Sequence, residues 1–260
     1  MADNAIIDWS LEKVLVQKQQ QINDFVIRAN PYLGDNPLFF AGHFITGKLN
    51  HPDILFIGIN PGHRYWYDLT ARQNNTKLVD FKSLPCKFIE EAAISNRFAR
   101  RVIDVACLGD VAKLERCAET SLLSYFASPT ESVVKAQLKQ LPKSMQLEHQ
   151  ELMQLPLAQI APKHIVCIGW RTFDEFIKRY QNPRKSRSEM PSRQLPIRVT
   201  KDSSSSKLMD FYVKTEVNGI PVHGVRHFST PLSSEMLFEL KQLFSKIWAE
   251  IEQPKIEPLA

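Results

Sequence analysis

The sequence predicts an α/β fold, specifically a three-layer α/β/α sandwich around a central, mainly parallel sheet of four strands. Short apolar runs alternate with longer stretches in which apolar residues recur at helical spacing. The runs Ile54-Leu55-Phe56-Ile57 and Ile165-Val166-Cys167-Ile168 are apolar on both faces, which is typical of strands inside a parallel sheet. The length of 260 residues and the 43% hydrophobic content are sufficient for one sizeable core.

The elements follow in chain order. An amphipathic helix over residues 5–29 ends at Asn30-Pro31, and the first strand covers residues 53–59. The dipeptide Asn218-Gly219 predicts a hairpin between strands 211–217 and 220–226. The remaining predictions are helices at 89–107, 132–139, 148–160, 172–180 and 233–251, and strands at 120–126 and 165–169.

The chain divides into an N-terminal helix and loop extension (1–52), a catalytic domain (53–253) and a tail (254–260). Residues 181–210 have the Pro/Ser/Arg composition of a flexible insert. Between Arg179 and Lys207, eight Lys or Arg residues stand against Glu189 and Asp202, a net charge of +6 in a chain of net charge +5. This segment is either a patch for an anionic polymer or a solvated linker, and it can be both.

Composition also excludes several classes of protein. No apolar run reaches the roughly 20 residues of a membrane helix, and the N-terminus lacks a signal-peptide pattern. The four cysteines are scattered without a C-x-x-C motif, and the histidines and cysteines show no zinc spacing. We therefore expect a cytoplasmic protein with no metal, no cofactor, no membrane association and no obligate protein partner.

Two motifs follow apolar strands and carry most of the functional signal. The first is Gly58-Ile59-Asn60-Pro61-Gly62, and the second is His227-Phe228-Ser229-Thr230-Pro231-Leu232-Ser233. Ligands bind at the carboxyl ends of strands in open parallel sheets, so the two loops can share one pocket. That pocket would bring an Asn and a His together.

With these motifs, three further pieces in the same order resemble the uracil-DNA glycosylase superfamily, most closely its mismatch-specific and thymine-DNA glycosylase branch. The pieces are Asn96-Arg97-Phe98, then Thr120-Ser121-Leu122-Leu123 with Pro129-Thr130, and residues 162–169. In having a histidine in the second motif, the chain resembles the uracil-specific and single-strand-selective branches. The chain departs from the pattern by one extra residue in Ser229-Thr230-Pro231, and by Ser121 where many members place an Asn.

The resemblance implies a monofunctional DNA glycosylase that acts on a base flipped out of DNA. Asn60 would position the attacking water, and His227 would donate a hydrogen bond to the base carbonyl as it gains charge. Substrate contacts are expected from Gly58, Ile59, Pro61, Gly62, Tyr65, Phe88 and Ser121. DNA contacts are expected from Ser229, Leu232, Ser233, Arg184, Lys185 and Arg187, with Leu232 as a wedge. Phe88, Tyr65 and Trp66 are alternatives for the aromatic that stacks on the base.

Several alternatives remain open at this point. Asn60-Pro61-Gly62 is also an ordinary β-turn, His227 can be a structural hydrogen bonder, and Ser233 can be a helix N-cap. The base can be uracil or a mismatched base in repair, or a modified cytosine of phage DNA in antiviral defence. The chain can also be a catalytically silent DNA-binding relative. An unrelated nucleotide-binding enzyme is disfavoured because neither G-x-G-x-x-G nor a P-loop is present.

Overall fold

The computed structural model describes residues 9–40, 43–59, 80–81, 84–123, 125–126, 130–181, 190, 192–198 and 206–253. Over these residues the protein is an α/β structure built on a mixed sheet of seven strands. The predicted α/β class is confirmed, but the predicted four-stranded, mainly parallel sheet is wrong, because three further strands pair antiparallel and make the sheet mixed. The strands are β1 (Ile45–Gly47), β2 (Ile54–Gly58), β3 (Cys117–Ser121), β4 (His164–Ile168), β5 (Ser192–Arg198), β6 (Ser206–Val217) and β7 (Ile220–Val225).

Helices account for most of the remaining described chain. The first, α1, covers Trp9–Ala29 and confirms the predicted N-terminal helix, and none of the described helices is long and apolar enough to cross a membrane. The others are α2 (Lys87–Ala93), α3 (Arg97–Arg101) with a π-helical turn (Val102–Ala106), α4 (Glu131–Gln140), α5 (Lys143–Leu152), α6 (Leu157–Ile160), α7 (Trp170–Tyr180) and α8 (Ser234–Glu252).

The sheet has the strand order β1-β3-β2-β4-β7-β6-β5. Its centre consists of β3, β2, β4 and β7, which pair with one another in parallel. The extra strands pair antiparallel at the two edges: β1 beside β3, and the β6 and β5 ribbon beyond β7. Because the four central strands run in one direction, their carboxyl ends lie along one edge of the sheet.

Alternate residues of the central strands enter two separate apolar cores. On one face, Leu55 and Ile57 of β2 pack with α1, α4, α5 and α7. On the other face, Ile54 and Phe56 pack with α2, α3 and α8. Two helical layers therefore cover the sheet, and we call these faces the α1 face and the α8 face.

Three local predictions are wrong, each for a physical reason. The strand predicted at 120–126 is β3, which begins earlier at Cys117 and includes a buried glutamate, Glu119, neutralised by Lys87 at 2.9 Å. The helix predicted at 89–107 is interrupted after Ala93, where Ser95 has a φ of 68°. The predicted flexible insert contains β5, which pairs with β6 at the sheet edge, where a proline is tolerated.

A buried polar chain links three strands on the α8 face. The Tyr212 hydroxyl of β6 is 3.0 Å from Nδ1 of His223 in β7, and Nε2 of His223 is 3.0 Å from Nδ1 of His164 in β4. Burial lowers the pKa of His223 to about 3, with the charges of His164 and Lys214 adding to the effect. His223 is therefore neutral in the folded protein at physiological pH.

Candidate active site

The carboxyl ends of the four parallel strands bring several predicted site residues to one edge of the sheet. Gly58, the last residue of β2, is in register with Ser121, the last residue of β3. Pairing continues beyond both strands, since the N–H groups of Leu122 and Leu123 donate to the carbonyls of Gly58 and Ile59 at 2.9 Å. The buried Ser121 thus lies beside the residues that lead directly into Asn60 in the sequence.

The same edge carries His227, two residues beyond the end of β7. Its backbone carbonyl accepts the N–H of Thr230 at 3.0 Å and the Thr230 hydroxyl at 2.6 Å, which closes a turn over residues 227–230. The neighbouring strand β4 ends at Ile168 and is followed by Gly169, whose φ is 101°. A Cβ at Gly169 would lie 3.4 Å from Cδ2 of His227, so the glycine allows the backbone turn and the close approach of the imidazole.

Hydrogen bonds at one ring nitrogen determine the tautomer of His227. Its Nδ1 lies 3.2 Å from the backbone N–H of Ser229, which can only donate, and 2.6 Å from the Ser229 hydroxyl oxygen. Nδ1 is therefore an acceptor, and in the neutral imidazole the proton is on Nε2. Among the described residues, Nε2 has no hydrogen-bond partner.

The surroundings of His227 favour its neutral form. Burial lowers its pKa below the ordinary value of 6.5. Phe98 stacks on the imidazole, with ring centroids 5.1 Å apart and an interplanar angle of 20°. The ring is thus a neutral donor whose orientation is fixed by Ser229 on one edge and by Phe98 on one face.

The residues Asn96-Arg97-Phe98 form the N-terminus of helix α3. The Asn96 side chain caps the helix by accepting the N–H groups of Phe98 and Ala99 at 2.9 and 3.3 Å. Phe98 then reaches His227, and Arg101 one turn later donates through Nη1 to the carbonyls of Phe228 and Thr230 at 2.6 and 3.0 Å. Arg101 and the contact of Phe98 with His227 were not predicted, although the Asn-Arg-Phe motif was a signal for this helix.

No protein-family model matches the chain, and no curated protein matches it. The strand-edge geometry and the motifs themselves therefore carry the functional interpretation.

Part of the predicted site lies outside the residues that the structure describes. The predicted residues in this group are Asn60, Pro61 and Gly62 of the first motif, the alternative stacking aromatics Tyr65 and Trp66, and the basic residues Arg184, Lys185 and Arg187. Their roles remain predictions. Arg179, which was counted with the basic segment, belongs to α7 and donates to the carbonyls of Leu122 and Met153 at 2.8 and 2.9 Å.

Phe88 is a core residue in this structure. It is 2% exposed and lies between Phe56 and Phe98, with ring centroids 5.8 and 5.7 Å away. Phe98, by contrast, is half-buried and stacks on His227 at this edge. Of the aromatics that the structure describes here, Phe98 is therefore better placed than Phe88 to contact a base.

The residues predicted to contact DNA from the second motif each have a partner within the protein. The exposed Ser229 bonds to His227, and the exposed Ser233 caps α8 by accepting the N–H of Met236 at 3.2 Å. Leu232 is half-buried and packs against the core of the α8 face. The N-cap interpretation of Ser233 is confirmed, and a DNA contact remains compatible with it. A wedge role for Leu232 requires the side chain to leave its present contacts.

The described residues include no group of three or more His, Cys, Asp or Glu side chains that could hold a metal ion. Cys86, Cys107, Cys117 and Cys167 are all buried and unpaired. Burial raises the pKa of the Cys86 and Cys107 thiols to about 12, so neither is a thiolate nucleophile near neutral pH.

Proposed function

We propose that this protein is a monofunctional DNA glycosylase, which flips out a damaged or modified pyrimidine and hydrolyses its N-glycosidic bond. The observation that supports this best is the neutral imidazole of His227, which presents a free Nε2–H among the described residues at the edge where the parallel strands end. The resemblance of the motifs to the uracil-DNA glycosylase superfamily supports the same activity.

In the proposed reaction, water adds to C1′ of the sugar while the C1′–N bond breaks and its electron pair moves to the base. The base gains negative charge on its carbonyl oxygen, and a neutral donor that faces this oxygen stabilises the transition state. His227 supplies this donor through Nε2. The products are an abasic site with a hydroxyl at C1′ and a free base that carries the proton from water.

Asn60 is proposed to hold the attacking water through its side-chain amide. An amide cannot take a proton, so its contribution is to position the water. The N–H groups of Leu122 and Leu123 tie β3 to Gly58 and Ile59, immediately before Asn60. Because these bonds fix the backbone just before Asn60, they support a rigid placement of the water relative to the base.

Ser121 is proposed to read the edge of the base. A serine offers a single rotating hydroxyl, whereas an asparagine offers both an amide donor and a carbonyl acceptor. The shorter side chain also leaves room for a substituent on the ring. We therefore favour a modified pyrimidine, including a modified cytosine of phage DNA, over plain uracil.

The decisive experiment is mass spectrometry of free bases released from a panel of genomic and phage DNAs in the presence of EDTA. Release of one base, with alkali-sensitive nicks in the DNA, is the expected result. His227→Phe should slow release about a hundredfold, whereas His51→Asn should not, because His51 is exposed and precedes β2 at the opposite edge of the sheet. DNA binding without release of any base would instead favour the catalytically silent relative.

A further inference from the structure

Residues 227–230 form a β-turn whose central peptide joins Phe228 to Ser229. The Thr230 N–H closes this turn by donating to the His227 carbonyl at 3.0 Å. Ser229 has a negative φ, so the turn is not of type II, which requires a positive φ at its third residue. Turns of types I and II differ by a flip of the central peptide. This peptide therefore has two discrete orientations, and the structure contains one of them.

The two ends of the central peptide have different partners. At its oxygen end, the Phe228 carbonyl accepts a hydrogen bond from Nη1 of Arg101 at 2.6 Å. At its nitrogen end, the Ser229 N–H donates to Nδ1 of His227 at 3.2 Å. A trans peptide is planar, so its oxygen and its N–H cannot turn independently of each other. Arg101 and His227 are thus coupled through a single peptide plane.

Arg101 bonds to this turn and not to a carboxylate. Its Nη1 also donates to the Thr230 carbonyl at 3.0 Å, on the other side of Ser229. No described residue forms an ion pair with Arg101, although Asp104 follows three residues later and pairs with Lys241 at 2.7 Å. The side chain is half-buried, and its bonds to the two carbonyls are charge-assisted, which makes them stronger than neutral hydrogen bonds.

A flip of the central peptide would move the proton on the imidazole of His227. The Phe228 carbonyl would then face Nδ1, and because a carbonyl oxygen can only accept, Nδ1 would have to carry the proton. In the neutral ring Nε2 would lose its proton and become an acceptor. The same flip would break the bond from Arg101 to the Phe228 carbonyl. Arg101 therefore stabilises the peptide orientation that keeps the proton on Nε2.

We propose that Arg101 is a positioning residue that sets the tautomer of His227 through the peptide between Phe228 and Ser229. Arg101 acts through the backbone of the turn and not on the substrate itself. Serine at position 229 acts in the same direction, because the positive φ of a flipped turn is unfavourable for residues other than glycine. The effect on the tautomer depends only on these contacts, whereas its effect on base release rests on the proposed glycosylase activity.

The direct test is ¹⁵N NMR of the imidazoles in the full chain without DNA. The chain has seven histidines, and the signals of His227 are those that disappear in His227→Phe. Arg101→Ala should raise the ratio of Nδ1-protonated to Nε2-protonated ring about tenfold, the scale of one charge-assisted hydrogen bond. Arg101→Lys can still donate to both carbonyls and should restore most of the Nε2-protonated form. An unchanged ratio in Arg101→Ala would overturn the proposal.

Arg100→Ala is the matched control for the loss of a positive charge from α3. Arg100 is exposed, and its side chain bonds to the Ala92 carbonyl and the Ser95 hydroxyl instead of the turn. This variant should leave the tautomer ratio of His227 unchanged. An equal change of the ratio in Arg100→Ala and Arg101→Ala would indicate a general effect of charge and would contradict coupling through the peptide.

Substitutions at position 229 test the peptide flip itself. Ser229→Ala and Ser229→Gly both lack the hydroxyl that contacts Nδ1, but only glycine readily adopts the positive φ of the flipped turn. Adding Arg101→Ala should therefore populate the Nδ1-protonated ring more in the Ser229→Gly background than in the Ser229→Ala background. All spectra should be recorded well below the melting temperature of each variant. Equal populations in the two double variants would refute the flip as the link.

Single-turnover base release separates this inference from the proposed function. Across the variants of Arg101, the maximal rate should fall in proportion to the Nε2-protonated fraction, while the DNA concentration at half-maximal rate stays unchanged. A changed tautomer ratio in a protein that releases no base from any DNA would support the coupling and refute the glycosylase. A normal maximal rate in an Arg101 variant with a changed tautomer ratio would refute the catalytic consequence of Arg101 and leave the glycosylase intact.

Discussion

Removal of the imidazole at position 227 should slow base release about a hundredfold. His227→Phe deletes a neutral donor whose orientation is fixed by Phe98 and by the bonds at Nδ1, because a phenyl ring carries no N–H. A single preorganised donor to a developing oxyanion contributes roughly 3 kcal/mol, and each 1.36 kcal/mol is about tenfold in rate. The rate should be measured under single-turnover conditions on the DNA identified by base release, so that product dissociation does not mask the chemistry.

Ser229→Ala is the companion variant, because it removes one contact of His227 and leaves the imidazole itself in place. The backbone N–H of residue 229 still donates to Nδ1, and only the hydroxyl contact at 2.6 Å is lost. A neutral hydrogen bond contributes about 1 kcal/mol, so we expect a rate loss of about fivefold. Imidazole ¹⁵N shifts should show Nε2 protonated in the wild type and a partial shift toward the other tautomer in Ser229→Ala.

The pH dependence provides an independent measurement of the same residue. Because burial lowers the pKa of His227 in the folded protein below 6.5, the neutral ring predominates throughout the range from pH 8 to pH 7. His227 should therefore contribute no large decrease in rate over that range. An Nδ1-protonated ring in the NMR spectrum, or a His227→Phe enzyme with nearly normal turnover, would refute the proposed role of this side chain.

Four further predictions follow from the sequence and the fold. Asn60→Ala should reduce the single-turnover rate about a hundredfold and leave DNA affinity intact, because the residue is proposed to position water; near-normal turnover would remove it from the mechanism. Ser121→Asn should shift preference toward uracil in competition assays, and efficient excision of uracil by the wild type with rejection of every modified pyrimidine would contradict this. Neutralising the insert should flatten the slope of log affinity against log salt, whereas an unchanged slope would mean that the DNA face lies elsewhere; the residues to change are Arg184, Lys185 and Arg187. His223 has a folded pKa of about 3, below its unfolded value of 6.5, so the free energy of unfolding should fall as pH drops from 6.5 toward 3, and urea titrations of His223→Gln should show a shallower fall.

The parts of the fold that the sequence predicted are those where the local pattern and the tertiary environment agree. The strands β2 and β4 are apolar on both faces because both faces are covered by helices. The hairpin of β6 and β7 follows from Asn218-Gly219, where Asn218 has a φ of 52° and Gly219 a φ of 78°. Both signals are contained within a few consecutive residues.

The missed elements depend on partners that are distant in sequence. Strand β1 has only three residues, and it pairs with β3 some seventy residues later. Strand β5 is polar and contains Pro196, so its composition resembles a linker until β6 provides its hydrogen bonds. The start of β3 was missed because it contains Glu119. Burying a charged glutamate is costly unless the charge is paired, and here Lys87 of α2 provides the ion pair.

The candidate site shows the same division. Gly58 and Ser121 end neighbouring parallel strands, and His227 follows β7 at the same edge. Because β4 lies between β2 and β7, the predicted pocket shared by the two motifs stays a prediction. The role of Arg101 could not be predicted, since a surface arginine on a short helix has no sequence signal for the carbonyls that it binds. Phe88 shows the opposite difficulty, because an aromatic next to a motif is equally compatible with a core position.

The contacts of His227 bear on whether this residue is structural or functional. His227 is half-buried, and its Nε2 is not among the buried atoms without a partner, so this nitrogen is accessible to a ligand. Here the described protein contacts, from Ser229 and Phe98, involve Nδ1 and one ring face. The neighbouring backbone is fixed separately by Arg101. Several interactions thus fix the orientation of a ring whose Nε2–H has no acceptor among the described residues. This N–H lies at the sheet edge where a ligand would bind. This arrangement favours a substrate group, rather than the protein, as the partner of Nε2.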